Sequence, residues 1–242
     1  MKLLLIDTSG PVCGAAVLDG DRVAASAMAH NLRTHSVNLM PMVEGVLETA
    51  GLTLDAMDRL ACVVGPGSFT GVRLGVSTVK GLAHGAGLPC VAVNALEALA
   101  AGAGDFDGVI CPILDARAGQ VYCAVFRSGH PAPERLTPDT PLALEDCAAL
   151  AGGLGERVLF LGDGMSVHRQ RLAELLGSRA VFAPPYLSSL NPAAAAYLAS
   201  LSEKTVDYLH LEPLYLRAPS AERSRRLTEA AAAEAKGGQD HG

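Results

Sequence analysis

The residues able to do chemistry in this chain fall into three groups: two aspartates at strand ends, glycine-rich turns, and scattered cysteines and histidines. Asp7 and Asp115 each close an apolar run. Facing each other across a cleft, two such carboxylates can hold a divalent ion and the phosphates of a nucleotide. With the turn Gly162-Asp163-Gly164, they make Gly162 and Gly164 candidate nucleotide-contacting positions in an ATP-hydrolysing reading. The alternative is that each aspartate caps its own turn, as Asp does ahead of Thr8-Ser9 or Ala116-Arg117.

The most distinctive segment runs Gly65-Pro66-Gly67-Ser68-Phe69-Thr70-Gly71-Val72-Arg73-Leu74-Gly75. It leads from a buried strand into a helix, where free N–H groups and the helix dipole favour an anion. No Lys-Ser/Thr follows the glycines, so it is not a P-loop, and Thr70 stands where a dinucleotide fingerprint has its third glycine. A capped structural turn and a phosphate cradle both remain open. In the helix beyond, Gly71, Gly75, Thr78 and Gly85 set small residues along one side. Glycine weakens a helix, so their retention implies close approach by another backbone, of the same chain or of a partner.

The six cysteines show no C-x-x-C pair or zinc-like spacing, and they read as small buried hydrophobes of a reduced cytosolic protein. His30 and His35 lie five apart, not at the i, i+4 spacing of a helical metal pair. No Gly-x-Ser-x-Gly elbow is present. No catalytic residue, metal ligand or cofactor is assigned.

These groups need elements to position them. Residues 2–6, 14–18 and 22–28 read as three strands with Asp19-Gly20 in the first hairpin. Leu39, Val43, Val46, Leu47 and Ala50 share a helical face over Ser36–Ala50, with Pro41 at the start or at a kink. A strand at 60–64, a helix at 70–86, a strand at 89–93 and a helix at 94–101 follow. The second half then repeats the opening: Ile6…Val17 aligns without gaps on Leu114…Val125 at an offset of 108. Helices near 144–151, 165–176 and 192–202 and a strand at 157–161 complete an α/β pattern. The expected division is an N-terminal unit over residues 1–102, a second over 103–217 and a frayed tail over 218–242.

Composition narrows the class. Half of the 242 residues are hydrophobic and the net charge is −6, which excludes disorder. Charges and Gly/Pro turns interrupt every apolar stretch, so no membrane span is expected, and Leu3–Ile6 is too short for the apolar region of a signal peptide. An acidic chain with 4% aromatics and no Trp is poorly equipped to hold RNA alone. Arg217, Arg223, Arg225 and Arg226 could touch RNA, against the simpler reading of a solvated, flexible basic end.

The block Gly65–Gly75, continued by Ser77-Thr78-Val79-Lys80-Gly81-Leu82-Ala83, resembles the TsaB family. Ile6-Asp7-Thr8-Ser9, His35-Ser36, Leu114-Asp115-Ala116-Arg117, Gly162-Asp163-Gly164 and Pro213-Leu214-Tyr215-Leu216-Arg217 extend the match to residues 1–217. The resemblance implies an actin-like/Hsp70-like (ASKHA) fold of duplicated RNase H-like domains. It implies a non-catalytic subunit that binds the catalytic paralogue TsaD, with the ATPase TsaE joining, to form threonylcarbamoyladenosine at adenosine 37 of ANN-decoding tRNAs. Where TsaD carries two metal-binding histidines, this chain has Ala95 and Leu99. In the family the first two helices bundle with TsaD. Carried over, these present Leu39, Met42, Val43 and Val46, and Val72, Gly75, Val76 and Val79 as interface residues. The same face could pair with its own copy in a homodimer. The tRNA would be contacted mainly through the complex.

Overall fold

The computed structural model describes residues 1–31, 34–154 and 157–217. Its first unit opens with β1 (Lys2–Asp7), β2 (Cys13–Asp19), β3 (Arg22–Ala29) and α1 (His35–Ala50). It continues through β4 (Arg59–Gly65), α2 (Phe69–Ala86), β5 (Cys90–Asn94) and α3 (Ala95–Gly102). The sheet order is β3-β2-β1-β4-β5, with β1 antiparallel to β2 and parallel to β4. The β2–β3 hairpin turns at Gly20, whose φ of 69° is the left-handed conformation that glycine adopts freely. Helix α1 runs through Pro41 rather than starting at it. Its first turn is fixed from outside, because the His35 ring donates to the Gly10 carbonyl at 2.9 Å and Leu39 is buried.

The second unit comprises β6 (Val109–Asp115), β7 (Gln120–Cys123), β8 (Phe126–Arg127), β9 (Glu134–Arg135) and β10 (Thr140–Ala143). Then come α4 (Leu144–Leu154), β11 (Val158–Leu161), α5 (Met165–Leu176), β12 (Ala180–Phe182) and α6 (Pro192–Leu201). The main path of its sheet is β10-β7-β6-β11-β12, the order of the first sheet. Strand β8 resumes the pairing of β7 with β6 after a break at Ala124–Val125. The repeat in the sequence is therefore a repeat in topology.

Strand periodicity distributes the core. Leu4 and Ile6, with Leu60 and Cys62, face α1 and α2, while Leu3, Leu5, Ala61 and Val63 face the opposite way. Likewise Cys111, Ile113 and Phe160 face α4 and α5, while Ile110, Leu114 and Leu159 join the side facing the first sheet. Helices α3 and α6 fill the space between the two sheets. Both faces of each sheet are covered, which is why the parallel strands read as unbroken apolar runs.

The chain departs from the expected division in its last described stretch. Helix α6 packs on β1, β2 and α3 of the first unit. Gly14 makes that approach possible: a Cβ there would lie 2.5 Å from the Pro192 ring. Val206 bridges Cys90, Leu211 joins the core beneath α1 and α2, and the Leu214 N–H donates to the Val64 carbonyl at 2.7 Å. Residues from Pro192 to Arg217 thus follow the second unit in sequence but largely complete the first in packing. The proposed tail, 218–242, and with it Arg223, Arg225 and Arg226, lies outside the described residues. Among those described, no helix is long and apolar enough to cross a membrane.

Candidate functional site: the cleft between the units and the faces of α1 and α2

The two aspartates occupy equivalent places. Asp7 accepts from the Ser9 N–H at 2.8 Å and Asp115 accepts from the Arg117 N–H at 2.9 Å, the same turn displaced by the repeat. Each carboxylate caps its own turn. Their environments differ. Asp7 is 1% exposed, and burial pushes its carboxyl up to about 6, against the lowering effect of its Ser9 hydrogen bonds and of His35. Asp115 is exposed to the cleft, and its own N–H donates to Asp163 Oδ1 at 3.0 Å. Asp163, named above only as the middle of a turn, is the third carboxylate here. Burial raises its pKa, and the Asp115 charge adds to the rise. Asp7 and Asp163 both line a small cavity of about 20 Å³, space for one water molecule. Behind Asp115, the buried His168 Nε2 has no hydrogen-bond partner among the described residues and lies 3.8 Å from Asp115 Oδ1.

The glycine turns are filled by the chain itself. A Cβ on Gly67 would lie 2.2 Å from the Ser9 carbonyl oxygen, and one on Gly65 2.8 Å from that of Leu214. The Ser68 N–H donates to the Ser9 carbonyl, and the Ser68 hydroxyl caps α2 by accepting from the Gly71 N–H at 3.3 Å. Gly162 and Gly164 repeat the pattern. Cβ atoms on them would lie 2.3 and 3.1 Å from the Ile113 carbonyl oxygen, which also accepts the Gly164 N–H. The capped-turn reading accounts for this packing. These glycines let strand ends pack, Gly67 against Ser9 and Gly162 and Gly164 against Ile113, while Pro66–Thr70 also line the cleft between the units.

Within α2, the close approach inferred from small residues holds at two positions and fails at a third. Cβ atoms on Gly71 and Gly75 would lie 2.0 Å from the Thr8 carbonyl oxygen and 2.6 Å from Thr8 Oγ1, whereas Gly85 faces open space. Thr8 Oγ1 also donates to the Gly71 carbonyl at 2.7 Å. The neighbouring backbone is β1 of the same chain.

The side chains carried over as interface residues are mostly committed elsewhere. Leu39, Val43, Val46, Val72, Val76 and Val79 are each at most 3% exposed and pack on the first sheet. Gly75 is buried against Thr8, and Met42 is half-buried beside the same core. The amphipathic face that made these helices legible packs on the chain's own first sheet. The outward faces carry Val37 and Met40 on α1, 54% and 39% exposed, and Arg73, Ser77, Gly81 and Gly85 on α2.

Between the units opens a cleft of about 790 Å³. Its walls include Ser9, Ser68 and Phe69 from the first unit, and Asp115, Arg117 and Tyr122 from the second. The segment Leu214–Arg217 lines it too, with the Tyr215 ring 4.9 Å from that of Phe69. Arg117 and Ala118 both have positive φ, 64° and 53°, an unusual pair of left-handed non-glycine residues at the cleft. Sequence reasoning had no means of finding this strain, because only the following Gly119 signals a special conformation. Of the candidates named earlier, Asp7 and Asp115 do reach the region between the units, but only Asp115 opens into the large cleft.

Two units of one RNase H-like strand order, with a cleft between the ends of their first strands, define an α/β protein of the actin-like (ASKHA) class. The model of the TsaD family, tRNA N6-adenosine threonylcarbamoyltransferase, matches residues 29–225. The chain is 36% identical over 222 residues to the tRNA threonylcarbamoyladenosine biosynthesis protein TsaB of Bacillus subtilis, covering 92% of this chain and 96% of that protein. It superposes on YeaZ from Pseudomonas aeruginosa with a TM-score of 0.74 at 28% identity, over 89% of this chain and 99% of that one. A tRNA N6-adenosine threonylcarbamoyltransferase of Sphingopyxis alaskensis is 40% identical over 114 residues, covering 40% of this chain and 33% of that enzyme. The chain belongs to the TsaB family.

Proposed function

We propose that this chain is a non-catalytic scaffold subunit in tRNA threonylcarbamoyladenosine biosynthesis, the process that names its relatives. It binds the TsaD-type transferase through the outward faces of α1 and α2 and helps to recruit the ATPase TsaE to the assembly. The observation that carries this reading lies at the start of α3. Ala95 and Leu99 stand where the resemblance to TsaD calls for histidine ligands, and both are apolar, 0% and 3% exposed, and packed between the two sheets. Neither can coordinate a cation.

The outward faces suit helix–helix docking. Val37 and Met40 offer apolar contact, while Ser77, Gly81 and Gly85, four residues apart on α2, let another helix backbone come close. Co-elution with a TsaD-type transferase on a sizing column tests the reading, together with threonylcarbamoyl transfer assayed for each protein alone and for the mixture. A stable complex, no turnover by this chain alone and turnover by the assembly are expected. Separate elution, or transfer by the isolated chain, refutes it.

A further inference from the structure

The described arginines divide into two groups. Away from the cleft, Arg22, Arg127, Arg135 and Arg171 face carboxylates within 4.0 Å, Arg59 and Arg179 donate to backbone carbonyls, and Arg169 lies over the Phe182 ring. Those lining the cleft, Arg117 and Arg217, face no carboxylate among the described residues. The Arg117 guanidinium has no ion-pair or hydrogen-bond partner among the described residues. Arg217 reaches only the Ala116 carbonyl, at 3.5 Å. In a chain of net charge −6, two arginines that face no carboxylate among the described residues, Arg117 and Arg217, thus share one cleft. They sit beside Phe69, Tyr122 and Tyr215, three of the chain's ten Phe and Tyr residues.

Guanidinium groups bind phosphate oxygens, and aromatic faces accept unstacked bases. The cleft floor supplies the complementary chemistry for ribose. Asp115 has one carboxylate oxygen engaged by its own turn and opens into the cleft, so it can accept from a 2′-hydroxyl. Two consecutive left-handed residues hold Arg117 at this wall, strain of the kind that collects at binding sites. The geometry points to a direct RNA contact at the mouth of this cleft: Arg117 and Arg217 on the phosphodiester backbone, Tyr122 or Tyr215 against a base, Asp115 on a ribose. The inference rests on the reading of this chain as a subunit of a tRNA-modifying assembly. It adds that the chain itself touches the nucleic acid, in contrast to the expectation from net charge alone.

The test uses the complex with a TsaD-type transferase and fluorescein-labelled unmodified tRNA, titrated by anisotropy from low to high salt. Arg117→Ala/Arg217→Ala is compared with wild type and with Arg171→Ala, an arginine paired away from the cleft. The double variant is expected to bind on the order of tenfold more weakly, with the salt slope reduced by about one per arginine, while Arg171→Ala changes neither. A 2′-deoxy oligonucleotide of the same anticodon-arm sequence should bind more weakly to wild type but equally to Asp115→Ala. Unchanged affinity and slope in the double variant overturns the inference. Sizing chromatography of the same samples reads the scaffold role separately: loss of tRNA binding with the protein complex intact supports the RNA contact alone. Should the double variant fail to assemble, ultraviolet crosslinking of wild-type complex to tRNA decides, with adducts at Tyr122 or Tyr215 supporting the inference and their absence overturning it.

Discussion

Replacing one glycine of α2 by alanine should destabilise the protein, and replacing another on the same helix should stabilise it. At Gly71 the new methyl would lie 2.0 Å from the Thr8 carbonyl oxygen and 3.3 Å from its carbon, both backbone atoms. An ordinary contact needs more than 3 Å, so the helix start must retreat by about 1 Å from β1. That retreat breaks the buried bond from Thr8 Oγ1 to the Gly71 carbonyl and loosens Val72 and Val76 over the sheet. Overpacking of this kind costs about 1–3 kcal/mol, and leaving a buried hydroxyl unpaired about 1–3 more. Alanine's better helix propensity returns about 1 kcal/mol. The net expectation for Gly71→Ala is a loss of about 1–5 kcal/mol. At Gly81 a Cβ meets nothing within 4 Å, so only the propensity gain remains, up to about 1 kcal/mol. Urea unfolding of the isolated proteins, monitored by far-ultraviolet circular dichroism, reads both signs. At roughly 2–4 °C per kcal/mol, melting temperatures should separate as well. If Gly71→Ala matches wild type, or if both variants shift together, then the spacing of β1 and α2 does not explain the glycines.

Other outcomes follow from burial. Asp7 titrates about two units above its ordinary 3.8, so the folded state holds the extra proton and stability falls as pH rises from about 4 to 6. Asp7→Asn, which keeps the oxygen that accepts from Ser9, should flatten that fall and raise stability by a few kcal/mol at pH 7; parallel urea midpoints across pH for both proteins would contradict this. Val37→Glu and Met40→Glu should change folding stability by less than about 0.5 kcal/mol yet abolish co-elution with the transferase. All six cysteines are buried, so a disulfide reagent should titrate no thiol rapidly in the native protein and six in urea.

The sequence made legible what local physics dictates. Apolar runs gave the strands, the 3.6-residue period gave α1 and α2, and the offset of 108 between Asp7 and Asp115 announced two copies of one unit. Periodicity also has a limit at the interface. An apolar helical stripe marks the face that is buried, and it says nothing about whether the domain or a partner buries it. Leu39 and Val76 went to the domain's own sheet, so a partner can use only the less patterned side, where Val37 and Ser77 give no periodic signal. Gly162 and Gly164 looked like phosphate approach points because the requirement is the same, a backbone with no Cβ in the way. Which atom takes that space, here the Ile113 carbonyl, is a matter of tertiary structure.

The return of α6 to the first sheet sets an order of events during synthesis. The first sheet's last strand ends at Asn94, but the helix that covers its inner face begins only at Pro192. At about 5–20 residues per second, the ribosome needs roughly 5–20 s to make the intervening stretch. Throughout that interval Leu3, Leu5, Ala16 and Val63 lack part of their cover. What leaves the ribosome first is therefore finished last. A nascent chain halted near residue 190 would be expected to engage a holdase chaperone, and one extended beyond Leu211 to release it.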